Sequence, residues 1–249
     1  MSLLLNRVIA DSLHYCAKFL RNMSLVTTRG RDTAANILKA SDGLDAVWEC
    51  ARLLERGGVL AVPTDTIYGL TASALDTGAI ERIYSIKGRT KMRPLAICVG
   101  RINDIDKWAI NTLSTDLLDE LLPGPVTLVM RRRESLNPSL NPAIETVGVR
   151  IPHSHFITEL AQHFDKPLAL TSANVSNEKS TLAIEEFQSL WPQLDAVVDG
   201  GRIGNNSASR DGSTVVDVSV EGYYKIIRPG CALMQTSALL MKYGLKESS

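Results

Sequence analysis

Apolar positions along the chain switch repeatedly between helical and strand spacing. Val47, Ala51 and Leu54 recur at helical intervals within 44–56, and Gly57-Gly58 follows as a stop, so the spacing predicts a helix there. Val59 to Val62 is a short apolar run ended by Pro63, the pattern of a buried strand. Thr77 is placed to cap a helix running to Ile86, with Ile80, Ile83 and Tyr84 on its apolar face. Further strands are expected at 95–99, 126–130, 147–151, 168–170, 196–198, 214–218 and 225–227, and further helices at 154–163, 181–190 and 237–243. Helices interleaved with short strands predict an α/β domain over 33–249, with helices packed on a largely buried sheet. Two stretches follow neither period. Residues 131–146 contain Asn137-Pro138 and Asn141-Pro142, and residues 199–213 are rich in Gly, Asn and Ser. Connections of that length are functional lids or plain surface loops, and the second is read as a lid.

The segment ahead of this pattern, residues 1–32, has a different character. Arg7, Lys18, Arg21, Arg29 and Arg31 face a single acid, Asp11, and Leu4, Leu5, Val8, Ile9 and Leu13 form an apolar helical stripe. That is the pattern of a mitochondrial transit peptide, and a plain N-terminal extension is the other reading. The expected location is the cytoplasm, with the mitochondrion added if the extension targets it. Basic and acidic residues balance at 27 each, which excludes a global field drawing the protein to nucleic acid or anionic lipid. Any anion site is therefore a local cluster. Cys16, Cys50, Cys98 and Cys231 are far apart, which fits reduced thiols and neither a disulfide framework nor a zinc site. No apolar run approaches the roughly 18 residues of a membrane span.

Candidate chemistry gathers where strands run out. Pro63 to Leu70 (PTDTIYGL) brings two hydroxyls, a carboxylate and a phenol to the end of a buried strand, where ligands of α/β proteins tend to sit. A turn capped by Asp65 or Thr66 is the plain alternative. Lys87, Arg89, Lys91 and Arg93 place four cations within seven residues, a cluster suited to phosphate oxygens, although G-x-x-x-x-G-K-[ST] does not occur. Thr171 to Ser176 (TSANVS) follows another apolar strand with small hydroxyls and an amide. Arg150 interrupts an apolar strand, and an arginine there calls for an anion, either a structural carboxylate or a substrate's. Arg131-Arg132-Arg133 reads as a solvated or RNA-facing patch. His153 and His155 lack further ligands at metal spacing, and no Cys or Ser sits beside an evident base, so neither a protein-held metal nor covalent catalysis is expected.

Taken together, PTDTIYGL (63–70), IKGR (86–89), RPL (93–95), PGPVTLV (123–129), TVGVRIP (146–152), TSANVS (171–176), STVVD (213–217) and IIRPG (226–230) resemble the YrdC family of threonylcarbamoyl-adenylate synthases, in the family's order. The resemblance runs from about residue 45 to about residue 233 and is nearest the short eukaryotic members. It implies a single domain built on a twisted mixed sheet flanked by helices, with a large basic cleft. By position it puts Thr66, Arg150 and Ser172 at L-threonine. It puts Lys87, Arg89, Arg93, Thr146, Asn174, Ser213 and Arg228 at ATP, with Lys87 and Arg89 as the catalytic pair. Cys98 stands where many bacterial relatives have a threonine-contacting His, and Asn177 replaces the usual Gly after TSANxS, a substitution that left-handed backbone tolerates.

The implied reaction joins L-threonine, bicarbonate and ATP into threonylcarbamoyl-adenylate and pyrophosphate, with Mg²⁺ carried by the nucleotide. The product then passes to a separate tRNA threonylcarbamoyl transferase. Two other readings stand beside it. One is a double-stranded RNA or tRNA-binding module without catalysis, which would bind phosphates through 87–93 and 131–133 and weaken steeply with salt. The other is a carbamoyl-transfer domain of the kind found within larger proteins.

Overall fold

The computed structural model describes residues 36–88, 93–204 and 210–248. The extension expected at 1–32 lies outside the described residues, as do Arg89 and Lys91 of the basic cluster. In chain order the elements are β1 (Ile37–Lys39), α1 (Leu44–Glu55), β2 (Leu60–Pro63), β3 (Tyr68–Ser73), α2 (Thr77–Ile86), β4 (Ala96–Cys98), α3 (Ile105–Trp108), β5 (Ala109–Ile110), α4 (Thr115–Leu121), β6 (Val126–Arg132) and β7 (Thr146–Arg150). They continue through α5 (His155–Phe164), β8 (Leu168–Ser172), a 3₁₀ segment (Ile184–Gln193), β9 (Ala196–Asp199), β10 (Thr214–Asp217), β11 (Tyr223–Arg228), α6 (Leu233–Lys242) and β12 (Lys246–Glu247).

The strands form one mixed sheet in the order β1-β9-β2-β3-β8-β4-β7-β6-β10-β11-β12, with β5 beside β6. Strands consecutive in the chain give antiparallel pairs, β2 with β3 across a short turn (Val62 opposite Gly69) and β6 with β7 across the longer 133–145 loop (Val129 opposite Gly148). The strands brought together from distant parts of the chain include the parallel pairs β4–β7 and β6–β10.

Strand alternation decides what each face does. On one face Ala61, Leu70, Ala72, Ile97, Leu128, Met130, Val147, Val149, Val197 and Val216 are buried in a single apolar cluster. Ile80 and Ile83 of α2, Leu117 and Leu121 of α4, and Phe187 and Leu190 of the 3₁₀ segment cover them. On the opposite face, α1 and α5 lay Val47, Leu54, Ile157 and Leu160 over Leu60, Val62, Leu168, Ala196 and Val198. Further along that same face the strands carry Ala96, Thr127, Val129, Thr146, Gly148 and Val215, which border a cavity instead.

Several boundaries differ from the sequence expectation, each for a local reason. Asp76, not Thr77, caps α2, its carboxylate accepting from the Ala79 amide at 3.0 Å. The helix expected at 181–190 is a 3₁₀ segment over Ile184–Gln193 that kinks at Phe187. The backbone of 181–182 is engaged elsewhere: the Thr181 carbonyl accepts from Tyr68 N at 2.9 Å, and the Leu182 amide donates to the Glu186 carboxylate at 3.1 Å. Pro192, which has no amide to donate, sits within the last turn of that segment. The Arg131–Arg133 patch is not uniformly outward. Arg132 donates to the carbonyls of Leu136, Asn137 and Leu140 and so braces the 133–145 loop. Asn141 pins the other end of that loop, its side-chain amide exchanging hydrogen bonds with Leu95 N (2.7 Å) and O (2.8 Å). The described residues contain no helix long and apolar enough to cross a membrane.

Candidate active site

The cavity has a volume of about 450 Å³, within the range of small-molecule sites. Its floor is the uncovered half of the sheet. Small side chains make the room: a Cβ on Gly148 would lie 2.9 Å from Thr127 Cγ2 and 3.4 Å from Ala96 Cβ. Among the described residues, the lining holds the cations Lys87, Arg93, Arg150 and Arg228 and no Asp or Glu. Pro94, Leu95, Ile144, Val215 and Ile227 supply apolar wall between them. A cavity with several fixed cations and a partly apolar wall suits an anion that carries a flat apolar group.

Lys87 follows the last turn of α2 and is only 2% exposed. Its ammonium donates to the main-chain oxygens of Ser172 at 2.5 Å and Asn174 at 2.7 Å, with their side-chain oxygens at 3.4 Å. It therefore ties the TSAN segment to the end of α2. In return, Ser176 N donates to Lys87 O at 3.1 Å. Asn174 fixes the same segment from within, donating to Val175 O and Glu178 O. Arg93 donates to the Asn177 side chain at 2.7 Å, and Asn177 takes a left-handed conformation (φ 72°), the geometry expected of a residue replacing glycine.

Across the cavity, Ser213 Oγ lies 2.9 Å from Thr127 Oγ1, and Arg228 donates to the Ser213 carbonyl at 2.8 Å. Burial, and then the nearby Arg150 cation, lower the pKa of the Arg228 guanidinium. A guanidinium nevertheless stays charged in a protein. Two cations held close in a partly desolvated cavity favour an anion between them.

The PTDT turn is organised by a residue that sequence reasoning did not choose. Thr64, not Asp65 or Thr66, caps it: its hydroxyl accepts from the amides of Thr66 and Ile67 and donates to Ile67 O at 2.7 Å. Asp65 and Thr66 are thereby freed to face Arg150. Arg150 Nη2 donates to Asp65 Oδ1 at 2.5 Å and to Thr66 Oγ1 at 2.8 Å, all three residues being nearly buried. The Thr66 hydroxyl thus meets Arg150, and Thr66 is not among the residues lining the cavity. The Tyr68 phenol points away, into the opposite core, where it donates to Gly201 O and accepts from Gly200 N. Burial pushes its pKa up to about 12. Cys98 is fully buried in the α1–α5 cluster and does not line the cavity. Burial pushes its thiol up to about 12, Arg150 pulling the other way.

Lys87, Arg93, Thr146, Arg150, Ser172, Asn174, Ser213 and Arg228 thus line one cavity, while Arg89 lies outside the described residues. Asp65, Thr127 and the cavity-lining Ser176, whose buried Oγ has no hydrogen-bond partner, lay within the quoted motifs but were given no ligand role. Thr127 had a signal, a hydroxyl at an alternating position of an otherwise apolar strand. Among the described residues no group of three His, Cys, Asp or Glu side chains is placed to hold a metal ion.

An α/β protein with an open, cation-lined cavity on one half of a mixed sheet is the class these features define. Residues 52–230 match the family Sua5_yciO_yrdC, described as "Telomere recombination". The chain is 54% identical over 198 residues to the threonylcarbamoyl-AMP synthase of Homo sapiens, covering 78% of this chain and 71% of that protein, and 53% identical to that of Bos taurus with the same coverage. Among solved structures it resembles P. abyssi Sua5 complexed with L-threonine, at a TM-score of 0.71 and 27% identity, over 81% of this chain and 58% of that one. The fold of E. coli YciO also matches, at a TM-score of 0.67 and 21% identity, over 75% of this chain and 90% of that one. The chain belongs to the Sua5/YciO/YrdC family.

Proposed function

We propose that the protein is a threonylcarbamoyl-AMP synthase, converting L-threonine, bicarbonate and ATP into threonylcarbamoyl-adenylate and pyrophosphate. The observation that carries this is one cavity of about 450 Å³ in which Lys87, Arg93, Arg150 and Arg228 face hydroxyls and apolar wall with no lining acid among the described residues. In this reading the amine of threonine takes up CO₂ with loss of a proton, or bicarbonate with loss of water, giving an N-carboxylate. That carboxylate oxygen attacks the α-phosphorus of ATP, and the bond to the β-phosphate oxygen breaks as pyrophosphate leaves. Such a step needs alignment and neutralised charge more than an acid–base dyad, and fixed cations supply both.

Lys87, Arg93, Thr146, Asn174, Ser213 and Arg228 are assigned to ATP, with Arg89 joining Lys87 as the catalytic pair, and Arg150, Thr66 and Ser172 to threonine. Arg150 takes the carboxylate and leaves the amine to react. The cavity's donors are cations, hydroxyls and amides, so the protein residues do not fit a resident metal. Mg²⁺ enters on the phosphates of the nucleotide in this proposal. The product is a labile mixed anhydride and needs a transferase to carry it to tRNA, in the cytoplasm and, if residues 1–32 target it, in the mitochondrion.

The test is pyrophosphate release by the purified protein with ATP and Mg²⁺, omitting L-threonine or bicarbonate in turn. Release that requires both is the expected result. Release with neither, or none from folded protein, overturns the proposal.

A further inference from the structure

Among the described residues, Lys87, Arg93 and Arg228 contact main-chain or amide oxygens, and Arg150 is gripped by a carboxylate. That carboxylate, Asp65, lies 85 residues away in sequence and is not itself a lining residue. The two side chains are 7% and 9% exposed, so the pair is shielded from water on both sides. Asp65 Oδ1 and Thr66 Oγ1 both accept from the same nitrogen, Nη2, while Oδ2 of Asp65 and Nε of Arg150 are buried without a partner. Asp65 and Thr66 therefore hold Arg150 through Nη2, at the wall of the cavity that Arg150 lines.

We infer that Asp65 is a positioning residue for the amino-acid carboxylate. It holds Arg150 in place at the cavity wall, and its charge offsets the repulsion between Arg150 and Arg228. Without it, Arg150 is a buried cation with no counterion and a free torsion, drawn to any anion in the cavity, the nucleotide's phosphates included. With it, the Arg150 charge is already largely balanced, which suits a singly charged α-carboxylate better than a multiply charged phosphate. The Thr64 cap belongs to the same device, because it fixes the turn from which Asp65 projects. The inference rests on the threonine assignment of Arg150 given above.

The test uses the full chain and the variants Asp65→Asn, which keeps the shape, and Asp65→Glu, which keeps the charge. Pyrophosphate release is measured with L-threonine and ATP varied separately, and L-threonine binding is measured by calorimetry. For Asp65→Asn the KM for L-threonine should rise on the order of ten-fold while the KM for ATP moves by less than about two-fold, and Asp65→Glu should recover part of the loss. L-Threoninamide, which lacks the carboxylate, should compete equally weakly with wild type and variant. An unchanged KM for L-threonine overturns the inference. So does a parallel rise in both KM values with a lowered melting temperature, the mark of a merely structural residue. Wild-type protein that binds L-threonine without releasing pyrophosphate overturns the reaction and leaves the inference to the binding data. Wild-type protein that does not bind L-threonine overturns both.

Discussion

One face of the sheet holds two regions built from the same strands by opposite rules. Over β2, β9 and the start of β8, the face carries Leu60, Val62, Leu168, Ala196 and Val198, and α1 and α5 close on it. Over β4, β7, β6 and β10, it carries Ala96, Gly148, Thr146, Thr127 and Val215 and borders the cavity. The opposite face of both regions carries the main apolar cluster. The difference lies in side-chain size and polarity at alternate positions. Small and hydroxyl-bearing residues give a helix too little apolar surface to bury, and they leave room for charge at the strand ends. A site here is the part of a sheet face that the sequence declines to cover.

Replacing a cavity cation should hurt chemistry most. In Lys87→Met we expect turnover to fall by about 10²–10³, the usual loss when one fixed donor to developing charge is removed. Because Lys87 is buried on two main-chain carbonyls, stability should fall as well. Single-turnover pyrophosphate release well below the variant's melting temperature separates the two losses. A variant that keeps near-normal turnover would move the chemistry away from this region.

The covered half should show the reverse. Leu160 is fully buried between α5 and the sheet, and Leu160→Ala should cost about 2–5 kcal/mol by denaturant unfolding, with both KM values unchanged. The matching truncation on the cavity side, Val129→Ala, should cost under about 1 kcal/mol, since Val129 is only half-buried. Equal costs would erase the distinction between the two halves. Gly148→Ala probes the boundary. Its new methyl would meet Thr127 at 2.9 Å and press on the Thr127–Ser213 hydrogen bond. We expect a loss of about 1–3 kcal/mol together with a raised KM for ATP. A stability loss with ATP affinity intact would mean that the floor does not shape the nucleotide site.

Much of this was legible in the chain. The alternation in VTLVM and TVGVR already separates an apolar face from one bearing Thr127, Thr146, Gly148 and Arg150, and the strand-end motifs do converge on one cavity. The strand β3 was hidden because YGLTAS continues a motif that reads as a turn, although Tyr68, Leu70 and Ala72 alternate with Gly69, Thr71 and Ser73. What the sequence withholds is partnership at a distance. Nothing near Arg150 points to Asp65, and nothing near Lys87 shows that its acceptors are the main-chain oxygens of Ser172 and Asn174, since a carbonyl leaves no mark in composition. Thr66 shows the same limit, since its hydroxyl accepts from an arginine that only the folded sheet brings near.

The cysteines offer the mildest test of the contrast, because no change of sequence is needed. Cys50 and Cys98 belong to the covered half, where burial pushes both thiols up to about 12, so at neutral pH they are protonated as well as inaccessible. Cys231 is exposed, and the field it feels includes Arg150 and Asp65, which places it within electrostatic reach of the uncovered half. Its pKa is also raised by burial, with Arg150 pulling it back down, so its reaction should be slow but measurable. Alkylation of the native protein near pH 8, read by peptide mass spectrometry, should label Cys231 well before Cys50 or Cys98, and denaturant should remove the difference. L-Threonine bound at Arg150 would cancel part of the positive field and slow the labelling of Cys231 by a small factor, while leaving Cys50 and Cys98 unaffected. Early labelling of Cys98 in the native protein would show that α5 opens from the sheet, and the covered half would then be no more closed than the cavity beside it.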